Sequence, residues 1–235
     1  MPVLRRALKN MRRNSLRGMV QTALAVIEDQ AFDWRYGVDT AGSISLKDLT
    51  INSRHVAHGV DYIPTRTRYF REILRALRVP RDSVFVDLGA GKGRMLILAA
   101  RSGCFRKVVG VEFSAKLCRA AEQNIHRFQR HRASNVSFEV VHSDAADYEV
   151  QRDQNVFFMF NPFDHVVMQQ VVHHVARSLE ETPRPVWVIY LNVQKDCRSL
   201  LVGKGYEEIA QVSYGNAEAS IFLWEKDQPR TARSH

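Results

Sequence analysis

Apolar positions along this chain change their period repeatedly, and each change marks an element. Val84-Phe85-Val86 is a continuous apolar run, Met95-Leu96-Ile97-Leu98-Ala99-Ala100 is a helical one, and Val108-Val109-Gly110-Val111 is a short run again. Followed onward, the pattern predicts strands over 83–88, 107–112, 136–141, 155–160 and 185–191. Helices are predicted over 92–103, 114–130, 164–180 and 196–203. A strand that is apolar throughout, such as Val156-Phe157-Phe158-Met159-Phe160, suits the centre of a parallel sheet covered on both faces. Val136-Ser137-Phe138-Glu139-Val140-Val141 alternates and suits a half-buried position. Strand alternating with helix predicts an α/β fold with a doubly wound, mostly parallel sheet. Tyr206 to Tyr214 and Ala217 to Trp224, joined by Gly215-Asn216, predict a closing antiparallel hairpin, which makes seven strands.

Before that alternation the pattern is looser. Residues 1–32 read as helical, and 33–61, with Gly37, Gly42, Asn52 and Gly59, as loop and short helix. A helix is predicted from Thr65, a candidate cap, to Val79, with Phe70, Ile73, Leu74 and Leu77 on one face and Pro80 ending it. The expected division is a basic helical N-terminal extension over 1–60, one α/β domain over 61–226 and a flexible tail over 227–235.

Composition narrows the class. Forty-five per cent hydrophobic residues in 235 is ample for one core. The mean hydropathy is −0.28, and no apolar run approaches the length of a membrane span. Cys104, Cys118 and Cys197 are scattered and odd in number, which suggests reduced thiols and a cytoplasmic setting. No H-E-x-x-H or C-x-x-C spacing is present, and the adjacent His173-His174 on one helix point apart, so no metal is expected. The net charge of +9 is concentrated at the start. Residues 1–80 contribute +7 of it, through Arg5, Arg6, Lys9, Arg12, Arg13 and Arg17 with no acid before Glu28. Residues 1–20 are therefore a candidate contact for a nucleic acid or an anionic membrane. An Arg-rich, acid-poor start also suits an organelle-targeting segment, and a solvated basic helix is the plainest alternative.

Chemistry is concentrated around residues 86–94, Val-Asp-Leu-Gly-Ala-Gly-Lys-Gly-Arg, which join a strand to a helix. Gly89, Gly91 and Gly93 allow a tight turn and close approach of a ligand to the backbone. A dinucleotide fingerprint would need its third glycine at 94, where Arg94 stands, and the order Lys92-Gly93 is wrong for a phosphate-binding Walker loop. The remaining pattern, an acid two residues before G-x-G-x-G, resembles motif I of the class I S-adenosylmethionine (SAM) methyltransferases. SAM carries an ammonium and a sulfonium and no pyrophosphate, so an anion such as Asp87 is favourable and the third dinucleotide glycine is not needed. A turn in which Asp87 merely caps the helix is the plainer reading.

Three more places fit. Glu112 ends the next strand about twenty residues beyond the loop, the spacing at which an acid meets ribose hydroxyls in βαβ nucleotide folds. Phe113 follows it, as an adenine contact or as a core aromatic. In the resembled family an Asp after the third strand accepts a hydrogen bond from the adenine amino group, and Asp144 occupies that place, where a simple turn residue would also fit. Asn161-Pro162-Phe163 sits at the carboxyl end of the fully apolar strand, where open α/β sheets place their ligands. It resembles the [DN]-P-P-[FYW] motif of amino-group methyltransferases with one proline missing; an Asn and a Pro that only stop the strand are the alternative. The protein-lysine methyltransferases without a SET domain carry a related pattern here, and a Tyr and Pro segment ahead of the loop like Tyr62-Ile63-Pro64-Thr65.

The resemblance covers about residues 60–226 and implies an enzyme. Its expected cofactor is SAM, with Tyr62 and Thr65 along the methionine end, Asn161 and the Pro162 carbonyl orienting an acceptor nitrogen, and Phe163 walling the acceptor site. The expected acceptor is an amino group of a protein. Methylation of RNA or DNA, and a non-catalytic SAM- or RNA-binding module, remain open.

Overall fold

The computed structural model describes residues 16–45, 64–160, 163–214 and 217–226. Among the described residues two helices come first, α1 (Leu16–Tyr36) and α2 (Thr67–Ala76). The alternation follows as β1 (Ser83–Leu88), α3 (Arg94–Ser102), β2 (Phe105–Glu112), α4 (Ala115–His131) and β3 (Ser137–His142). It continues as β4 (Val156–Phe160), α5 (His165–Glu181), β5 (Val186–Leu191) and α6 (Lys195–Gly203), and ends with β6 (Glu207–Tyr214) and β7 (Ala217–Trp224). A short 3-10 turn over Ala145–Asp147 is the one described element that the periodicity missed; three residues are too few to show a period.

The seven strands form one sheet in the order β3-β2-β1-β4-β5-β7-β6. The first five are parallel, and β7 runs antiparallel to both β5 and β6. Burial follows position. Strands β1 and β5 are buried at every residue, whereas the edge strands β3 and β6 alternate inward and outward positions. That is the difference between a strand covered on both faces and one at the rim. One core lies on the side of α1 to α4, around Phe70, Phe85, Leu96, Phe128 and Phe158. The other lies under α5 and α6, around Val86, Phe157, Met168, Val172 and Tyr190.

Element limits differ from expectation where a tertiary contact intervenes. Helix α1 continues to Tyr36, beyond 32, because Phe32, Tyr36 and Val38 enter the first core and the Tyr36 ring meets Phe128 edge-on at 5.4 Å. Helix α2 is shorter than predicted. It starts at Thr67, so Thr65 is not its cap; Asp29 of α1 accepts from the Thr67 amide and hydroxyl, both at 3.2 Å. It ends at Ala76 with Leu77 already extended, ahead of Pro80. A carboxylate from another helix does the work of a local cap.

Gly110 in the middle of β2 permits a close approach of α3 and the glycine loop to the sheet. A Cβ there would lie 2.7 Å from Leu96 Cδ1 and 2.8 Å from Ala90 Cβ. Gly110→Ala is expected to destabilise the protein by about 1–3 kcal/mol through overpacking, read as a lower urea midpoint.

Candidate functional site

The strand order reverses its direction of growth between β1 and β4, which is where open α/β sheets open a crevice at the strands' carboxyl ends. The glycine loop lies there. Its three glycines all have positive φ, 92° at Gly89, 55° at Gly91 and 81° at Gly93, so side chains at these positions would be strained. Backbone amides tie the loop to the end of β2: Gly89 and Ala90 donate to the Val111 carbonyl at 2.9 and 3.1 Å. The Gly91 amide donates to Glu112 Oε2 at 2.9 Å, and the Ser114 amide to Glu112 Oε1 at 2.9 Å. Glu112 thus braces the loop and the start of α4. A carboxylate has about four lone-pair positions, so acceptor capacity remains for a ligand.

Asp87 and Glu112 end neighbouring parallel strands and are both buried. Burial, and then the nearby Glu112 carboxylate, push the Asp87 carboxyl well above its usual range. Burial likewise raises Glu112, against the lowering effect of the backbone amides that it accepts from. Two neighbouring buried carboxylates disfavour each other's charge, and a cation beside them would relieve that. The site therefore fits a ligand with an ammonium group approaching a glycine-lined backbone, as SAM does.

The other predicted residues divide. Phe113 is half-buried and belongs to neither core, and its carbonyl lies 3.1 Å from His142 Nε2. Its ring is accordingly not a core aromatic. Asp144 caps the 3-10 turn by accepting from the Ala146 amide at 2.9 Å, which is its turn role. Thr65 is buried beside the start of α2. Phe163 is 6 % exposed and packs into the second core just beyond the end of β4. Tyr62, Asn161 and Pro162 lie outside the described residues, as do residues 1–15. The register that sets Asp87 opposite Phe158 brings Phe160, at the end of β4, level with the start of the glycine loop. Among the described residues no group of His, Cys, Asp or Glu is arranged to hold a metal.

Sequence reading missed one set of residues. Arg94, noted there only as a break in the dinucleotide pattern, is 2 % exposed. Its guanidinium lies 2.8 Å from Asp29 and 3.4 Å from Asp33, both on α1, and its Nε donates to Thr40 Oγ1 at 2.8 Å. Breaking a buried pair by removing one partner typically costs about 3–5 kcal/mol. The signal in the sequence was Asp29 and Asp33, four residues apart and so on one face of a helix, but nothing local named the cation.

Comparison with known proteins agrees with this geometry. Residues 86–188 match the family model described as a methyltransferase domain. Over 73 residues the chain is 38 % identical to a protein-lysine N-methyltransferase of Saccharolobus islandicus (strain REY15A). That stretch is 31 % of this chain and 45 % of the relative, so the chain spans less than half of that protein's length. Among solved structures, a precorrin-6y C5,15-methyltransferase from Geobacter metallireducens superposes with a TM-score of 0.53 at 17 % identity, over 77 % of this chain and 94 % of that one. A ribosomal protein L11 methylase from Lactobacillus delbrueckii subsp. bulgaricus gives 0.51 at 15 % identity, over 68 % and 77 %. A SAM-dependent methyltransferase from Aquifex aeolicus also gives 0.51, at 11 % identity over 65 % and 88 %. Residues 86–188 are thus similar to a methyltransferase domain, and the sheet that carries them is Rossmann-like.

Proposed function

We propose that this domain transfers the methyl group of SAM to an amino nitrogen of a protein, of the lysine type. The observation that carries the reading is the parallel pairing of β1 and β4, with the buried Asp87 and Glu112 and the glycine loop on one side and the strand leading to Asn161-Pro162-Phe163 on the other. The name of the 38 % identical relative supports a protein acceptor. SAM supplies an already activated methyl, so the protein's task is to position the acceptor and set the electrostatics. In this reading Asp87 faces the cationic end of the cofactor, Glu112 takes the ribose hydroxyls, and Phe113 and Asp144 meet the adenine. Tyr62 and Thr65 lie toward the methionine end. Asn161 and the Pro162 carbonyl orient the acceptor nitrogen. A lysine has a reference pKa of about 10.4 and must lose its proton before attack.

The basic start suggests how a macromolecule is recruited. Six cations precede the first acid, and they are proposed to hold an anionic patch on the acceptor or its surroundings. A nucleic-acid acceptor is the second reading, favoured by the same charges.

The deciding experiment is tritiated SAM with a cell extract, split by protease and nuclease sensitivity. Label that protease removes and that is recovered as methyl-lysine is the expected result. Label removed by nuclease would replace the protein acceptor with a nucleic acid. Changing Arg5, Arg6, Arg12 and Arg13 to Gln is expected to lower labelling at low salt and to have little effect at high salt, because the interactions concerned are screened.

A further inference from the structure

The glycine loop has two limbs, and they are held by different parts of the molecule. Gly89, Ala90 and Gly91 are tied to the end of β2. The side chains of Lys92 and Arg94, on the other limb, are held by residues 29–41, more than fifty positions earlier in the chain. Arg94 reaches Asp29, Asp33 and Thr40. Asp33 in turn fixes the backbone that follows α1: its Oδ2 accepts from the Thr40 and Ala41 amides at 2.8 and 2.7 Å, and its Oδ1 from the Thr40 hydroxyl at 2.5 Å. Lys92 forms a second strut, donating to Asp39 Oδ1 at 3.0 Å and to the Ala41 carbonyl at 3.2 Å. Asn124 of α4 bonds both sides. Its Nδ2 donates to the carbonyls of Asp39 and Lys92 at 2.9 and 3.0 Å, and its Oδ1 accepts from the Asp39 amide at 2.9 Å.

This is more apparatus than packing requires. Thr40 is fully buried, and so is almost all of the Arg94 guanidinium. A buried ion cluster is a poor way to gain stability, since the desolvation of its charges offsets most of their attraction. It is, however, a good way to specify one geometry, because each charge accepts only a few arrangements of its partners. The segment so specified joins the cofactor loop to α3. Gly93 adds to the constraint: with φ at 81°, a Cβ there would lie 3.1 Å from Ala121 Cβ, so the limb has little room to settle elsewhere.

We propose that Arg94, Asp33 and Thr40 are positioning residues for the cofactor site, and that residues 33–41 are a working part of that site through the shape they impose on the glycine loop. The inference rests on the SAM reading of the loop. None of these side chains is assigned contact with the ligand; they act through the backbone of Lys92, Gly93 and Arg94.

Thr40→Val tests this with little change of shape, because it removes only the hydroxyl that bridges Arg94 and Asp33. Thr40→Ser restores that hydroxyl. Binding of S-adenosylhomocysteine is measured by calorimetry well below the melting temperature, with melting followed separately. The expected result is cooperative melting for both variants, affinity at least tenfold weaker for Thr40→Val, and affinity within about threefold of wild type for Thr40→Ser. A second variant, Asp39→Ala, removes an exposed carboxylate and leaves the buried cluster alone. It is expected to weaken binding severalfold and to speed amide hydrogen exchange at Gly91 and Gly93. Folded Thr40→Val with wild-type affinity would overturn the proposal. If Thr40→Val fails to fold, unchanged affinity and unchanged exchange in Asp39→Ala would overturn it. Absence of binding by the wild type would instead reject the SAM reading itself, so the two failures are distinct.

Discussion

Asn161→Ala is expected to keep SAM affinity within about threefold of wild type and to lower methyl transfer by about a hundredfold or more. Strand β4 ends at Phe160, level with the start of the glycine loop, and its neighbour β1 carries Asp87. In the proposed reading the Asn161 amide oxygen orients the acceptor nitrogen as positive charge develops on it. That contact strengthens in the transition state, so its loss lowers turnover and leaves ground-state binding of the cofactor nearly intact. The competing view gives Asn161 and Pro162 only the task of stopping the strand. On that view the variant would melt earlier and turn over normally. Turnover at saturating SAM, on the substrate that the extract experiment identifies, separates the two. A rate within about threefold of wild type would remove Asn161 from the chemistry.

The second large effect is expected in the pH dependence of cofactor binding. In the folded protein Asp87 keeps its proton to higher pH than in the unfolded chain, because burial and the Glu112 carboxylate disfavour its charge. Glu112 is shifted in the same direction by burial. These two carboxyls therefore contribute stability that is fully present below the ordinary carboxylate range and is lost as pH rises through their raised folded values. A bound ammonium has the opposite preference and favours the carboxylate. Binding should then expel a proton. Affinity should rise with pH until the ligand-free groups have ionised, and level off above. Calorimetry in two buffers of different ionisation enthalpy measures the proton released, and melting curves across pH measure the linkage in the ligand-free protein. Asp87→Asn should abolish most of the release. It should also weaken binding about tenfold to a hundredfold, the usual loss for a hydrogen bond to a charged group. Affinity that is flat from acid to neutral pH, with no proton released, would show that Asp87 does not face the cationic end of the ligand.

Much of the fold was legible because each strand reports its own surroundings. The all-apolar runs at 84–86 and 156–160 announce strands covered on both faces, and the alternation at 136–141 announces an edge. The hairpin limits were legible for the same reason; the predicted Ala217 to Trp224 is β7 as observed. The glycine loop was legible because tight turns with positive φ need glycine whatever surrounds them. Glu112 was singled out by its spacing, whereas its grip on the Gly91 and Ser114 amides had no sequence signal.

What stayed hidden depends on partners distant in sequence. Periodicity reports that a strand is buried but not which strand lies beside it, so the insertion of β7 between β5 and β6 had no local signature. The same holds for charge. Asp29 and Asp33 read as acids on a helix, and Arg94 as a residue out of place in a familiar loop. Only the packing of α1 against that loop makes them one buried cluster. Likewise Asp29 caps a helix 38 residues further on, and the Phe163 ring packs into the core under α5. Local sequence determines which face of an element is apolar and where the backbone must turn. The pairing of buried charges, and the choice between core and crevice for a single ring, are decided by which elements meet, because the desolvation that governs both exists only once the layers have closed.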